Sequence, residues 1–193
     1  MKDYLRLGLT LLIICAIAAG VLALLNSVTG PVIAKNAQEA SYGQFYEVLG
    51  DSVDIQEVPE EQKNSIQSTY PEITSILQAT EGDQIVSYIF TVKSNGYGGE
   101  MENALLIDPE GNIQGFRNLS NAETPGFGQA VAEESYYQRY EGKSVAENDQ
   151  LVLGSGGGPN EIEAISGSTV TSNAVLDGLN KVVAAYTENF ANN

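Results

Sequence analysis

The sequence predicts an α+β protein: a single N-terminal transmembrane helix followed by one domain with an antiparallel sheet and flanking helices. Three observations lead there. Leu7 to Leu25 carries no charge. Gln84 to Lys93 alternates apolar and polar side chains and closes in Ser94-Asn95-Gly96, a strong turn signal. Val175, Leu179, Val182, Tyr186 and Phe190 recur at helical spacing near the C-terminal end. A chain of 193 residues with 42% hydrophobic content suffices for one core plus an appendage. The boundaries expected are 1–6 for a cytoplasmic N-terminus, 7–25 for the span, 26–80 for a connector and helical region, and 81–193 for the globular domain.

The span comes first. At about 1.5 Å per residue Leu7 to Leu25 makes a helix roughly 28 Å long, near the hydrocarbon thickness of a bilayer. A cleaved signal peptide is the competing reading, but the apolar run exceeds the usual ~7–15 residues and no small-x-small site follows it. Cys15 follows Ile14, where a lipoprotein would need a small residue. Lys2 and Arg6 flank the start and the next basic residue is Lys35, so the N-terminus is expected in the cytoplasm and the domain outside. Thr29, Gly30 and Pro31 are expected to break the helix, with Val32, Ala40, Phe45 and Val48 on a second, amphipathic one.

Asp51 to Tyr70 is polar and acidic without a sustained period, and reads as surface loop or short helical pieces. After the Gln84–Lys93 strand, Ala104 to Ile107 and Ile113 to Asn118 flank Asp108-Pro-Glu-Gly-Asn112, completing an antiparallel sheet. Ala130 to Tyr140 reads as a helix whose Tyr136, Tyr137 and Tyr140 belong to the core or an interface edge, and Gln150 to Leu153 as a short strand. The last helix begins between Ser166 and Thr169.

Composition removes several chemistries. A net charge of −16, from 25 acidic and 9 basic residues, argues against a nucleic-acid partner. Without histidine there is no Ser-His-Asp hydrolase, His-based zinc site or His-ligated haem. One cysteine allows no intrachain disulfide and no cysteine-ligated iron–sulfur cluster. A redox role would therefore require an organic cofactor. No catalytic residue and no metal ligand is assigned.

Three short stretches remain. Gly154-Ser-Gly-Gly-Gly158 fails the dinucleotide fingerprint because Pro159 stands at the third glycine position, so it reads as a linker. Gly142-Lys143-Ser144 lacks the upstream glycine of a phosphate loop, and the sequon at Asn118 receives no role. Asn95-Gly-Tyr-Gly-Gly99 is a hairpin loop on turn chemistry alone, although its glycines would also let backbone approach a flat ligand with Tyr97 against it. In Glu123-Thr-Pro-Gly-Phe-Gly128, Pro125 and Gly126 fix a turn from which Thr124 and Phe127 project. Glu163-Ala-Ile-Ser-Gly-Ser-Thr-Val-Thr-Ser172 places hydroxyls and a glycine ahead of the last helix, where free N–H groups attract an anion such as phosphate. Spacing alone favours an ordinary helix cap for those hydroxyls.

The stretch resembles the flavinylation signature of the FMN-binding domain family, in which an acidic residue precedes Ser-Gly-Ala-Thr with two positions between. With the span, Gly96 to Gly99, Glu123 to Gly128 and Ser166 to Thr169 in this order, the chain resembles the G subunits of Rnf complexes. Those are membrane-bound ferredoxin:NAD oxidoreductases that couple electron transfer to ion transport; the homologous C subunit of sodium-translocating NADH:quinone reductase is the alternative. The resemblance implies FMN joined through its phosphate to Thr169 by a separate flavin transferase, with Ser166, Gly167 and Ser168 around the acceptor. It implies Tyr97, Gly98, Glu123, Thr124, Gly126 and Phe127 around the ring. Residues 81–193 would then be the FMN-binding domain. The chain would be a non-autonomous relay of a translocase in the bacterial inner membrane, receiving electrons from iron–sulfur subunits and passing them to another flavin protein in the membrane. Glu163 replaces the family's aspartate and Ser168 its alanine; Ser166, Ser168 and Thr171 remain competing hydroxyls. Outside redox chemistry, the alternative is a membrane-anchored extracytoplasmic binding or assembly domain.

Overall fold

The computed structural model describes residues 2–146 and 149–191, in two compact units, Met1–Gln44 and Phe45–Asn193. Helix α1, Lys2–Leu49, supplies the first up to Gln44, and its end from Phe45 onward belongs to the second. Its Arg6–Ser27 stretch has a mean hydropathy of 2.7 and buries nothing against protein. At about 1.5 Å per residue its 22 residues reach roughly 33 Å, long enough to cross a bilayer. The helix does not break at Thr29-Gly30-Pro31 as expected. A prolyl ring removes one backbone donor, and the helix-favouring residues on both sides, Leu24 and Leu25 before it and Ala34, Ala37 and Ala40 after it, outweigh that loss.

In the second unit β1 (Asp54–Glu57), β2 (Ile73–Glu81), β3 (Gln84–Asn95), β4 (Glu100–Ile107) and β5 (Ile113–Ser120) form a five-stranded antiparallel meander in chain order. Helix α2, Glu60–Thr69, lies between the first two strands. β1 and β2 come from residues expected to be connector. β1 is a mostly exposed four-residue edge strand that shows no alternation to read. The register aligns Ile76, Phe90, Leu105 and Phe116 in one row across four strands. These side chains join one core cluster with Val175, Leu179, Val182 and Tyr186 of α4, Thr169–Asn189. Each such side chain contributes on the order of 1.5–3 kcal/mol by burial. The opposite row, Leu77, Ile89, Leu106 and Gly115, is covered at Gly115 by the methyl groups of Val48.

Ala130–Tyr140 is not one helix. A 3-10 turn, Gly128–Ala132, and a four-residue helix α3, Glu134–Tyr137, meet at Glu133, whose backbone is extended. The three tyrosines pack around Phe116, with the Tyr140 ring stacked on it at 4.5 Å. Strands β6 (Val152–Gly154) and β7 (Glu161–Glu163) pair in parallel. The glycine loop between them folds around Glu161, whose Oε2 accepts hydrogen bonds from Ser155 N, Ser155 Oγ and Gly158 N. Asn118 is buried and donates to Asn103 Oδ1 at 2.8 Å, so the sequon presents no accessible amide.

Candidate functional site

Two loops and one helix start converge on a cleft of about 470 Å³, lined by Tyr97, Glu123, Thr124, Phe127, Gly128, Gly167, Ser168, Thr169, Val170 and Thr171. That volume lies in the range of small-molecule sites, about 300–1,000 Å³.

The first loop joins β3 to β4 through residues 96–99, closed by Gly96 N donating to Gly99 O at 2.8 Å. Tyr97 stands at its tip, 77% exposed. In the second loop Phe127 N donates to Thr124 O at 3.1 Å, and Gly126 has φ +77. Proline at the second position and a positive-φ glycine at the third define a type II turn. Gly126 therefore shapes the loop and does not itself line the cleft. Phe127, 57% exposed, lies against Gly167.

The third segment is the approach to α4. Ser168 N donates to Ile165 O at 2.9 Å, and Gly167 takes φ +75 within that turn. Arg139 braces it, donating through Nη1 to Glu163 O at 2.6 Å and Ala164 O at 3.1 Å. Its guanidinium lies 5.2 Å from the Tyr136 ring centre. Ser172 braces the other side, accepting from Ile165 N at 2.9 Å and donating to Ser168 O at 3.1 Å. Ser168 is the residue before the helix, yet its side chain makes no capping bond, and the first turn holds no acidic residue. The hydroxyls thus do not act as the helix cap that spacing favours. The N–H groups of the first turn keep their capacity for an anion.

Exposure separates the four hydroxyls. Thr171 is 1% exposed and its Oγ1 donates to Glu123 at 2.9 Å; Ser168 is also buried. Ser166 and Thr169 are exposed, and of these Thr169 lines the cleft while Ser166 does not.

Glu123 lines the cleft and also ties its walls together. It is buried, and its two oxygens accept from Gly98 N at 3.0 Å and Thr171 Oγ1 at 2.9 Å. A Cβ at Gly96 or Gly128 would run into those oxygens, and one at Gly98 into Ala122 O. Gly98 accordingly contributes a backbone donor to Glu123 and a close approach, outside the lining. Behind Glu123, Asn121 Oδ1 accepts from Glu123 N at 3.2 Å, and Asn121 donates to Asn118 at 2.7 Å. The chain of bonds continues through Asn103 to Ser94. Sequence reasoning missed Val170 as a wall, Arg139 as a brace and the Glu123–Thr171 bond. That bond joins positions 48 apart, and no local pattern announces it.

The exposed Tyr97 and Phe127 side chains can meet an aromatic ligand, the cleft has room for it, and a hydroxyl stands beside an uncapped helix start. The donor set therefore fits a flat ring carrying a phosphate. Comparison with known proteins agrees. Residues 96–184 match the FMN-binding domain model, and residues 1–48 match that of the RnfG N-terminal region. The chain is 34% identical to the G subunit of the Na(+)-translocating ferredoxin:NAD(+) oxidoreductase complex of Acetobacterium woodii, over 96% of this chain and 92% of that protein. It is 26% identical to the G subunit of the proton-translocating ferredoxin:NAD(+) oxidoreductase complex of Clostridium ljungdahlii, over 92% and 88%. The C subunit of the Na(+)-translocating NADH-quinone reductase of Parabacteroides distasonis shares the fold, with a TM-score of 0.52 and 23% identity. That match covers 61% of this chain and 62% of the solved one.

Proposed function

This chain belongs to the family of G subunits of Rnf-type ion-translocating oxidoreductase complexes, and we propose that within such a complex it relays electrons through FMN attached covalently at Thr169. The family and its FMN-binding domain supply the electron-carrier role. The observation that carries the attachment point is the sorting of hydroxyls at the start of α4: of Ser166, Ser168, Thr169 and Thr171, Thr169 is the exposed one that also lines the cleft. FMN, when bound, supplies reversible uptake of one or two electrons.

The chain's own residues hold and orient it. The first turn of α4 faces the phosphate with N–H groups and the positive end of its dipole. Phe127 and Tyr97 offer apolar contact to the ring, and Thr124 offers a hydroxyl to its edge. Arg139 and Ser172 hold the acceptor segment in a defined shape, in which a flavin transferase would meet Ser166 to Thr169 as an exposed turn. A covalent link also keeps an anionic cofactor on a chain of net charge −16, which would repel it once free. The apolar stretch of α1 anchors the protein in the bacterial plasma membrane, with Lys2 and Arg6 on the cytoplasmic side and the FMN domain outside. Partner proteins carrying iron–sulfur centres would deliver electrons, and a membrane-embedded partner would accept them.

The test is purification of the full chain co-expressed with a flavin transferase. The expected result is flavin fluorescence that survives denaturation and absorbance that bleaches on reduction and returns on reoxidation. An unlabelled chain, beside a control protein labelled by the same transferase, would contradict the reading and favour a binding or assembly domain without redox chemistry.

A further inference from the structure

Among the described residues lining the cleft, Glu123 alone carries a formal charge. The ion pairs of the described residues join Lys63 to Glu57, Lys93 to Glu100 and Lys181 to Glu72, and none reaches it. Its partners are neutral donors, one N–H and one hydroxyl, which use both oxygens as acceptors in the manner of a carboxylate. At 6% exposure, water screens this charge little. Neutral hydrogen bonds fix where the charge sits without cancelling it.

We propose that Glu123 positions the cleft and sets its potential: its carboxylate clasps the 96–99 loop to the first turn of α4 and lowers the reduction potential of the flavin held there. The proposal rests on the FMN reading above. Adding an electron to the flavin without a proton adds one negative charge next to a fixed negative charge, and burial of the Glu123 carboxylate leaves that repulsion less screened than between two charges in water. A low potential suits a relay fed by a strong reductant. The same carboxylate explains why glycine occupies positions 96 and 128, where any side chain would displace it.

Two variants of the full, flavin-loaded chain move the potential in opposite directions. Glu123→Gln removes the charge and raises the midpoint potential, read by dithionite titration against reference dyes. Thr171→Val keeps the charge, removes the hydroxyl that partly offsets it, and lowers the potential. Loosened packing alone would move both the same way. An unchanged or lowered potential in Glu123→Gln, or shifts of one sign in the pair, overturns the proposal. If Glu123→Gln fails to load, the sign for Thr171→Val decides: lower supports it, unchanged or higher overturns it. Wild-type chain that carries no FMN mass overturns the cofactor reading as well, whereas loaded wild type with unmoved variants overturns this proposal alone.

Discussion

Gly167 shows how a single residue sets the site. Its φ of +75 is in the left-handed region, and a Cβ there would meet the Phe127 ring at ordinary contact distance, 3.6 Å. Space therefore permits alanine and the backbone does not. Gly167→Ala is expected to destabilise the domain by about 1–2 kcal/mol in urea unfolding, with the cleft otherwise retained. At this scale the sequence was informative: Pro125-Gly126 announced its turn, and the hydroxyls ahead of α4 announced a helix start. It was silent on which hydroxyl is exposed, because burial of Ser168 and Thr171 depends on loops that arrive from far along the chain. Glu123 illustrates the same limit. An acidic residue beside a turn reads as a ligand contact alone; its bonds to Gly98 and Thr171, which also make it a tie between two walls of the cleft, come from distant segments.

At the scale of elements, the β6–β7 loop is organised by a carboxylate. The backbone N–H of Gly158 and then the Ser155 hydroxyl hold the Glu161 carboxyl below the ordinary glutamate range. A group depressed by folding stabilises the fold above its unfolded pKa, and that contribution is lost as pH falls through the folded value. Glu161→Gln is therefore expected to unfold earlier than wild type at neutral pH, with the gap closing in acid; a gap independent of pH would contradict the assignment. The glycine-rich composition had suggested a linker, since it shows conformational freedom but not what the loop closes on. Helix α4 was legible because its apolar positions, Val175 to Tyr186, repeat over about three turns. The Ala130–Tyr140 segment breaks the helical expectation because its tyrosines, spaced as on a helix, gather around Phe116 from the four-residue α3 and the turn that follows it.

For the whole molecule, two compact units imply separable behaviour. The full chain is expected to sediment with membranes, and a chain starting at Phe45 to remain in the supernatant while keeping a cooperative unfolding transition. Retention of the shortened chain on membranes would show that the Arg6–Ser27 stretch is not the anchor. Hydropathy revealed that stretch plainly. The division after it was less legible: an edge strand and a strand following α2 carry too little alternation to separate from a connector, although the sheet needs both. The order of motifs revealed the family, and in the fold those motifs, two loops and a helix start distant in sequence, line one cleft.

The most direct measurement is peptide mapping by tandem mass spectrometry of the full chain co-expressed with a flavin transferase, beside Thr169→Ala. The account predicts one added FMN on the wild-type peptide, with the label on Thr169, and none on the variant. An FMN on Ser166, Ser168 or Thr171, or a variant labelled as fully as wild type, would contradict it.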